Sequence, residues 1–482
     1  MSARSFLSAA GPRMSFVNET DRPRAVLVAV QLPHVTDDEV ESSLDELQRL
    51  VETLGLTPIA RVSQKRRGVG SAAVFGEGKL KEIARLTGGT GVVPAGVTRR
   101  PGKKTRRPGD AESDDEEDLD VTPTDEVGLQ DAPDELATVV VVDDDLTPTQ
   151  LRNLEGATSA EVHDRSSVIL SIFQRHARTR EALLQVEIAR LVYMAPRLRL
   201  AGGGGDRQRG GVGGKGAGES SLELDRRRVR DRIAALRREL EVVQRDSSAR
   251  RTRRVDSRAV AIVGYTNAGK SSLMRRLTET QVLVENKLFA TLDTTVRSLC
   301  PETRPKILVS DTVGFIKKLP HDLVASFRST LEEASQASFL LHVVDASDPA
   351  FRSHIEVTET VLGEVGAGER ESLLVLNKMD CVDAEERAAL TDEFPDAMQI
   401  SALAPEDVDR THAAIVQFFE RDMVEGELFV SYAEPRRIHE IHEACRVLSE
   451  THEEQGTRVL VRAPAGVLER LRSGGEHEDV LR

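Results

Sequence analysis

The sequence predicts an α/β chain in four parts: a small α/β domain, a helical hairpin of coiled-coil type, a P-loop domain and a small C-terminal α/β domain. Short apolar runs of strand length, such as Ala25–Val30, Val139–Val142 and Leu373–Leu376, alternate with stretches of helical period. Val229, Ile233, Leu236, Leu240 and Val243 hold a sustained 4-3-4-3 spacing, the seam of a coiled coil. An apolar strand, a glycine loop and a helix follow one another directly over 260–277.

In chain order, residues 1–22 read as a disordered leader. Residues 23–145 form the first domain: Ala25–Val30 is a buried strand, and Val40, Leu44, Leu47, Leu50, Val51 and Leu54 mark one helix face. A glycine-rich stretch leads into a second helix near Leu80–Leu86, where Gly76-Glu-Gly-Lys79 reads as a plain turn. Residues 94–135 read as a disordered acidic insertion, because they offer too little apolar surface to offset the entropy of ordering. Residues 146–255 read mainly as helix, a hairpin with a glycine-rich tip at Gly202–Gly218. The P-loop domain covers 256–425. Residues 426–482 alternate strand and helix, with a helix expected over about 436–450, and close the chain. His439 and His442 lie three apart on that helix, with no third ligand to make a metal site.

The chain is 482 residues long with a formal net charge of −14, and only 12 of its 66 cationic residues are Lys. An acidic, Arg-rich chain of this kind fits solubility in concentrated salt; the alternative is an ordinary acidic protein of a GC-rich genome. Cys300, Cys381 and Cys445 are too widely spaced for a disulfide framework or a zinc site. No apolar run has the length of a membrane span, and the N-terminus lacks a signal-peptide core, so a cytoplasmic protein is expected.

Charge is segregated within the chain. From Asp225 to Val255 there are 12 Arg against five acids. A solvated face with intrahelical pairs would use up five of them. The excess points to a polyanion, and without aromatics the contact would be to phosphates rather than bases. Arg226, Arg227 and Arg230 are the candidate RNA contacts.

Val260–Val263 runs into Gly264, Tyr265, Thr266, Asn267, Ala268, Gly269, Lys270 and Ser271, then the helical Ser272 onward. This is G-x4-G-K-S in the strand–loop–helix setting that phosphate binding needs, with backbone amides and a helix N-terminus aimed at the anion. Lys270 is expected to reach the β- and γ-phosphates, and the Ser271 hydroxyl to ligate Mg2+. Asp311, Thr312, Val313 and Gly314 form D-x-x-G: Asp311 would hold a Mg2+-bound water and the Gly314 amide would sense the γ-phosphate. Asn377, Lys378, Met379 and Asp380 form N-K-x-D. The Asp380 carboxylate accepts from the two donors of a guanine edge, which adenine lacks, so the domain selects GTP over ATP. Ser401, Ala402 and Leu403 follow a further strand, with the Ala402 amide expected at guanine O6. Thr291 and Thr295 are both candidates for the second protein ligand of Mg2+. Phe315 stands where many hydrolytic GTPases place a water-orienting Gln, so intrinsic hydrolysis is expected to be slow and to need a partner.

The loop G-Y-T-N-A-G-K-S, the segment Phe289, Ala290, Thr291, Leu292 and Asp293, D-T-V-G-F and N-K-M-D together resemble the HflX family of translation-associated GTPases. So do Asp143–Glu155, Asp164-Arg165, Ile169–Glu181 and Gly216–Arg227, and the likeness covers about residues 23–425. The acidic composition reads as a salt-adapted archaeal version. The resemblance implies an N-terminal α/β nucleotide-binding-like domain, a hairpin and a GTPase domain; the chain is expected to be a monomer. It implies nucleotide-dependent binding to the large ribosomal subunit and its rRNA, in ribosome rescue, recycling or splitting, with hydrolysis stimulated there. The family's F-x-T-L pattern favours Thr291 over Thr295 for Mg2+. Thr294 stands where family members often carry Pro, and Gly216-Ala-Gly218 lacks the Pro common at the tip. The alternative function is a nucleotide-gated scaffold that binds protein partners through its hairpin.

Overall fold

The computed structural model describes residues 22–68, 72–93, 136–197, 221–252, 258–279, 288–289, 295–318 and 333–473. The leader up to residue 21, the acidic insertion, the glycine-rich tip and switch residues 290–294 lie outside the described residues. The chain divides into two compact units, one built from residues up to 175 with 187–236, the other from 176–186 with 237 onward.

The first unit holds β1 (Arg24–Gln31), α1 (Asp37–Thr53), β2 (Thr57–Lys65), α2 (Glu77–Thr87), β3 (Val139–Val142), α3 (Pro148–Thr158), β4 (Glu161–Asp164) and α4 (Arg165–His176). The four strands form one parallel sheet in the order β2-β1-β3-β4. Both central strands, β1 and β3, are apolar along most of their length because helices cover both faces of such a sheet. Thr36 starts α1 with a capping box: its hydroxyl accepts the Glu39 amide at 3.2 Å, and the Glu39 carboxylate accepts the Thr36 amide at 2.8 Å. Thr147 and Gln150 repeat the device at α3, with Pro148 in the first turn.

The sheet runs past the boundary expected at residue 145. Strand β4 pairs with β3 from Val139↔Glu161 to Val142↔Asp164. Four residues with only Val162 and Asp164 buried carry too short an alternation to stand out between two helices.

Buried charge ties the end of this sheet together. Arg165 is 1% exposed and pairs with Asp143 at 2.7 Å and with Glu46 at 2.5 Å. Asp164, fully buried, accepts the Tyr193 hydroxyl at 2.6 Å, Arg197 Nη2 at 2.6 Å and the Ser167 amide at 2.8 Å. Tyr193 belongs to α5 (Arg180–Met194), the first arm of the hairpin, and the Arg197 guanidinium lies 3.4 Å over its ring.

The second arm is α6 (Ser221–Thr252). Val229 and Leu236 of its seam are buried, and Ile233, Leu240 and Val243 are half-buried, so the 4-3-4-3 spacing does mark the inward face. Arg232 pairs with Glu187 at 2.8 Å, and Arg180 with Glu239 at 2.7 Å. Both pairs are exposed and contribute little stability.

In the second unit β5 (Arg258–Val263), α7 (Lys270–Thr278), β6 (Thr295–Ser298), β7 (Ile307–Asp311), β8 (Phe339–Asp345), α8 (Phe351–Glu364), β9 (Ser372–Asn377), α9 (Ala384–Glu393), β10 (Met398–Gln399) and α10 (Pro405–Glu420) follow in order. The sheet order is β10-β9-β8-β5-β7-β6, parallel except for β6. Parallel strands end on one edge, so the loops after β5, β7, β8, β9 and β10 meet there. The core on one face includes Ile262, Leu273, Met274, Leu341, Val343 and Ile415.

The C-terminal part comprises β11 (Met423–Ser431), α11 (Pro435–Ala444), β12 (Arg446–Glu453), β13 (Gly456–Pro464) and α12 (Ala465–Ser473). Its antiparallel sheet, ordered β11-β13-β12, buries Leu428, Val430, Val459 and Val461 with Ile441 and Leu468 from the helices. The helix expected over 436–450 stops at Ala444. Cys445 takes an extended conformation, φ −130° and ψ 153°, and the chain turns into β12. That strand is almost wholly exposed, so its sequence lacks apolar alternation, and its ladder with β13 makes it a strand. Among the described residues no helix is long and apolar enough to cross a membrane.

Candidate nucleotide-binding site

The loop after β5 is shaped by two glycines. Gly264 has φ +145°, and a β-carbon there would meet the Val343 carbonyl oxygen at 2.0 Å. Gly269 has φ +94°, and a β-carbon would lie 2.2 Å from Asn377 Nδ2. Only glycine permits both approaches. Asn267, between them, takes the left-handed conformation at φ 62°, which asparagine tolerates. Gly269 leads directly into α7, so its first amides face the loop.

Lys270 is 6% exposed and donates from Nζ to the carbonyls of Gly264 at 3.0 Å and Tyr265 at 2.6 Å. Burial pushes its ammonium down to about 8, while the Asp311 carboxylate works the other way. The Ser271 hydroxyl donates to Asp311 Oδ2 at 2.6 Å, joining the loop after β5 to the end of β7. Asp311 and Thr312 are fully buried, and Thr312 Oγ1 donates to the Ile262 carbonyl at 2.8 Å. Val313 and Phe315 are 6% and 3% exposed, so Phe315 is buried rather than projecting as a polar water-orienting group would. Ala268, Thr266 and Tyr265 are buried, and Ser272 is half-buried.

Asn377, 1% exposed, ends β9 and bridges three loops. Its Nδ2 donates to the Ala268 carbonyl at 2.8 Å, and its Oδ1 accepts the Ala402 amide at 2.9 Å. The Ala402 amide, expected at guanine O6, is thus taken up in holding the loop. Lys378 stands at φ 62° and pairs through Nζ with Asp345 Oδ2 at 2.6 Å. Met379 is buried and its amide donates to the Ile400 carbonyl at 3.1 Å. The Asp380 carboxylate is exposed and held below its usual range, chiefly by a hydrogen bond from Ser401. Asp407 Oδ2 accepts the Ser401 amide at 2.8 Å, and Leu403 is 63% exposed at the rim.

Phe289 is buried at φ 56°, whereas Ala290, Thr291, Leu292 and Asp293 lie outside the described residues. Thr295 opens β6 opposite Asp311. On α6, Arg227 and Arg230 are exposed and Arg226 is half-buried.

Sequence reasoning missed four residues. Asp345 anchors Lys378, Asp407 anchors Ser401, and His354 stacks on Tyr265 with ring centroids 3.8 Å apart. His342 on β8 is 5% exposed, and burial beside Lys270 pushes its imidazole down to about 4, so it is neutral at ordinary pH. Asp345 alone had a signal, an acid at the end of an apolar strand.

Hard oxygen donors suit Mg2+, and Ser271 and Asp311 bring two of them together beside the buried lysine. The arrangement can hold a polyphosphate, a divalent cation and a base with paired donors.

Three family models match the chain. One described as GTP-binding GTPase N-terminal covers residues 41–93 and 125–174, one described as GTP-binding GTPase Middle Region covers 176–254, and one described as 50S ribosome-binding GTPase covers 259–378. The GTPase HflX of Gluconacetobacter diazotrophicus is 56% identical over 454 residues, covering 93% of this chain and 97% of that protein. The GTPase HflX of Escherichia coli K12 is 35% identical over 446 residues, covering 92% and 93%. Nothing in these relatives supports the salt-adapted archaeal reading of the composition. Among solved structures, a GTP-binding protein from Sulfolobus solfataricus in complex with GDP is 22% identical, with a TM-score of 0.41, over 82% of this chain and 99% of that one.

Proposed function

Starting from a chain that belongs to the HflX family of GTPases, we propose that it binds GTP at the loops after β5, β7 and β9 and cycles on the large ribosomal subunit, in ribosome rescue, recycling or splitting. The observation that supports this most is Asn377, which joins the base-reading loop to the phosphate loop and to the loop after β10. In this reading Lys270 and the amides at the start of α7 take the phosphates. Asp380 takes the guanine edge, and Asn377 with Lys378 keeps its loop in place. Ser271 and Thr291 would ligate Mg2+, with Asp311 acting through a water. The cation, when bound, neutralises charge that develops between the β- and γ-phosphates. Gly314 senses the γ-phosphate, and the remaining loop residues line the site.

Phe315 offers no hydrogen bond to an attacking water. Hydrolysis is therefore slow alone and accelerated by the ribosome, which supplies or releases the missing group. Arg226, Arg227 and Arg230 contact rRNA phosphates. The protein acts in the cytoplasm as a monomer. A protein partner on the hairpin is the second reading, favoured by the exposed Leu183, Leu224 and Val242 on its two helices.

Co-sedimentation with separated ribosomal subunits, in GDP, GTP and a non-hydrolysable GTP analogue, tests the proposal. Pelleting with the large subunit in the analogue alone is the expected result. Absence of any nucleotide dependence would leave the scaffold reading standing.

A further inference from the structure

His354 belongs to none of the nucleotide motifs, yet it is buried against one of them. It stands on α8, 8% exposed, and its ring lies flat on Tyr265, with 10° between the planes. Tyr265 is the first variable residue of the G-x4-G-K-S loop and is 4% exposed. Its hydroxyl accepts the Lys317 amide at 2.7 Å. Beside it, the Thr266 amide donates to the Phe315 carbonyl at 2.8 Å, and the Phe315 amide to the Gly264 carbonyl at 3.2 Å. These three bonds clasp the D-x-x-G-F segment onto the phosphate loop. The clasp sets Gly314 close against the lysine: a β-carbon on Gly314 would lie 2.9 Å from Thr266 Cα and 3.0 Å from Lys270 Nζ.

A γ-phosphate shared between Lys270 Nζ and the Gly314 amide needs room between the two. A diphosphate makes no contact that depends on Gly314, because switch segments are ordered by the γ-phosphate and released without it. Tightening the clasp therefore weakens triphosphate binding and leaves diphosphate binding almost untouched. We infer that Tyr265 is a specificity-determining positioning residue. With His354 behind its ring, its hydroxyl holds the D-x-x-G segment on the phosphate loop and so sets the preference between guanosine triphosphate and diphosphate. The inference rests on the reading above in which Gly314 senses the γ-phosphate. Two of the three clasp bonds are between backbone atoms and any residue would keep them. The third needs a hydroxyl at this position, and the flat stack on His354 needs a ring.

The test is calorimetric titration of the full chain with GDP and with a non-hydrolysable GTP analogue, in the presence of Mg2+. Tyr265→Phe keeps the ring and removes the hydroxyl. It is expected to tighten the analogue about fivefold, as loss of one opposing hydrogen bond would, while GDP affinity stays within about twofold. His354→Ala, which removes the stack, shifts the ratio in the same direction, and His354→Phe, which restores a flat partner, returns it to the wild-type value. An unchanged ratio in Tyr265→Phe, an equal loss of both nucleotides, or a selective loss of the analogue would each overturn the inference. If the wild-type chain bound neither nucleotide, the site assignment itself would fall, and this inference with it.

Discussion

Lys270 and Asp380 sit at opposite extremes of solvation, and their roles follow from that difference. Lys270 is buried and faces two carbonyls and Asp311, so its charge is held in a dry place, where the proposed contact with a phosphate would be strong. Lys270→Ala is expected to abolish GTP binding, and near-native affinity by calorimetry would refute the phosphate-loop assignment. Asp380 is exposed, with its carboxyl held ionised by Ser401 and open to a base. Asp380→Asn turns an acceptor into a group that also donates. Preference should move toward xanthine nucleotides, whose extra oxygen accepts that hydrogen; competition between GTP and xanthosine triphosphate reads it, and unchanged GTP selectivity would contradict the role.

At the scale of elements, the first unit depends on a charge that water does not reach. Asp164 ends β4 and receives bonds from α4 and from the last turn and exit of α5. Removing it takes the buried carboxylate away from the Tyr193 hydroxyl and from the Arg197 guanidinium, which is left on the carbonyls of Tyr193 and Leu146. Asp164→Ala is therefore expected to destabilise this part of the fold by about 3 kcal/mol, as breaking a largely buried ion pair does. Hydrogen exchange checks it locally: amides of β3, β4 and the end of α5 should exchange faster, while those of β5 and β8 should not change. Equal protection in both forms would show that the network contributes nothing to stability.

For the whole molecule, net charge misleads. The chain carries −14 overall, yet the segment from Asp225 to Val255 has a surplus of seven positive charges. On α6, Arg228, Arg232 and Arg245 have carboxylate partners, while Arg230 and Arg237 make no ion pair among the described residues. Charge reversal at Arg226, Arg227 and Arg230 should weaken binding to the large subunit. It should also flatten the slope of log affinity against log salt by up to about three, one per lost phosphate contact. GTP affinity should not change. If subunit binding kept its strength and salt slope, the partner of the hairpin would not be RNA.

The four nucleotide motifs were legible in the sequence because each packs its chemistry into a few consecutive residues at a strand end. The seam of α6 was legible too, since a 4-3-4-3 spacing has one physical outcome when Val229 and Leu236 turn inward. Sequence alone therefore determined the nucleotide domain, its base preference and the family. Only tertiary structure decided the rest. Strand β4 and strand β12 are short or polar, and pairing with β3 and β13 makes them strands. Asp345 at the end of β8, His354 in the first turn of α8 and Asp407 in the first turn of α10 reach their partners only because parallel strands bring their ends, and the helices that follow them, to one edge of the sheet. A lone His or Asp in a sequence does not say which group it will meet; chain reversals over 89 residues, as between Tyr265 and His354, decide that.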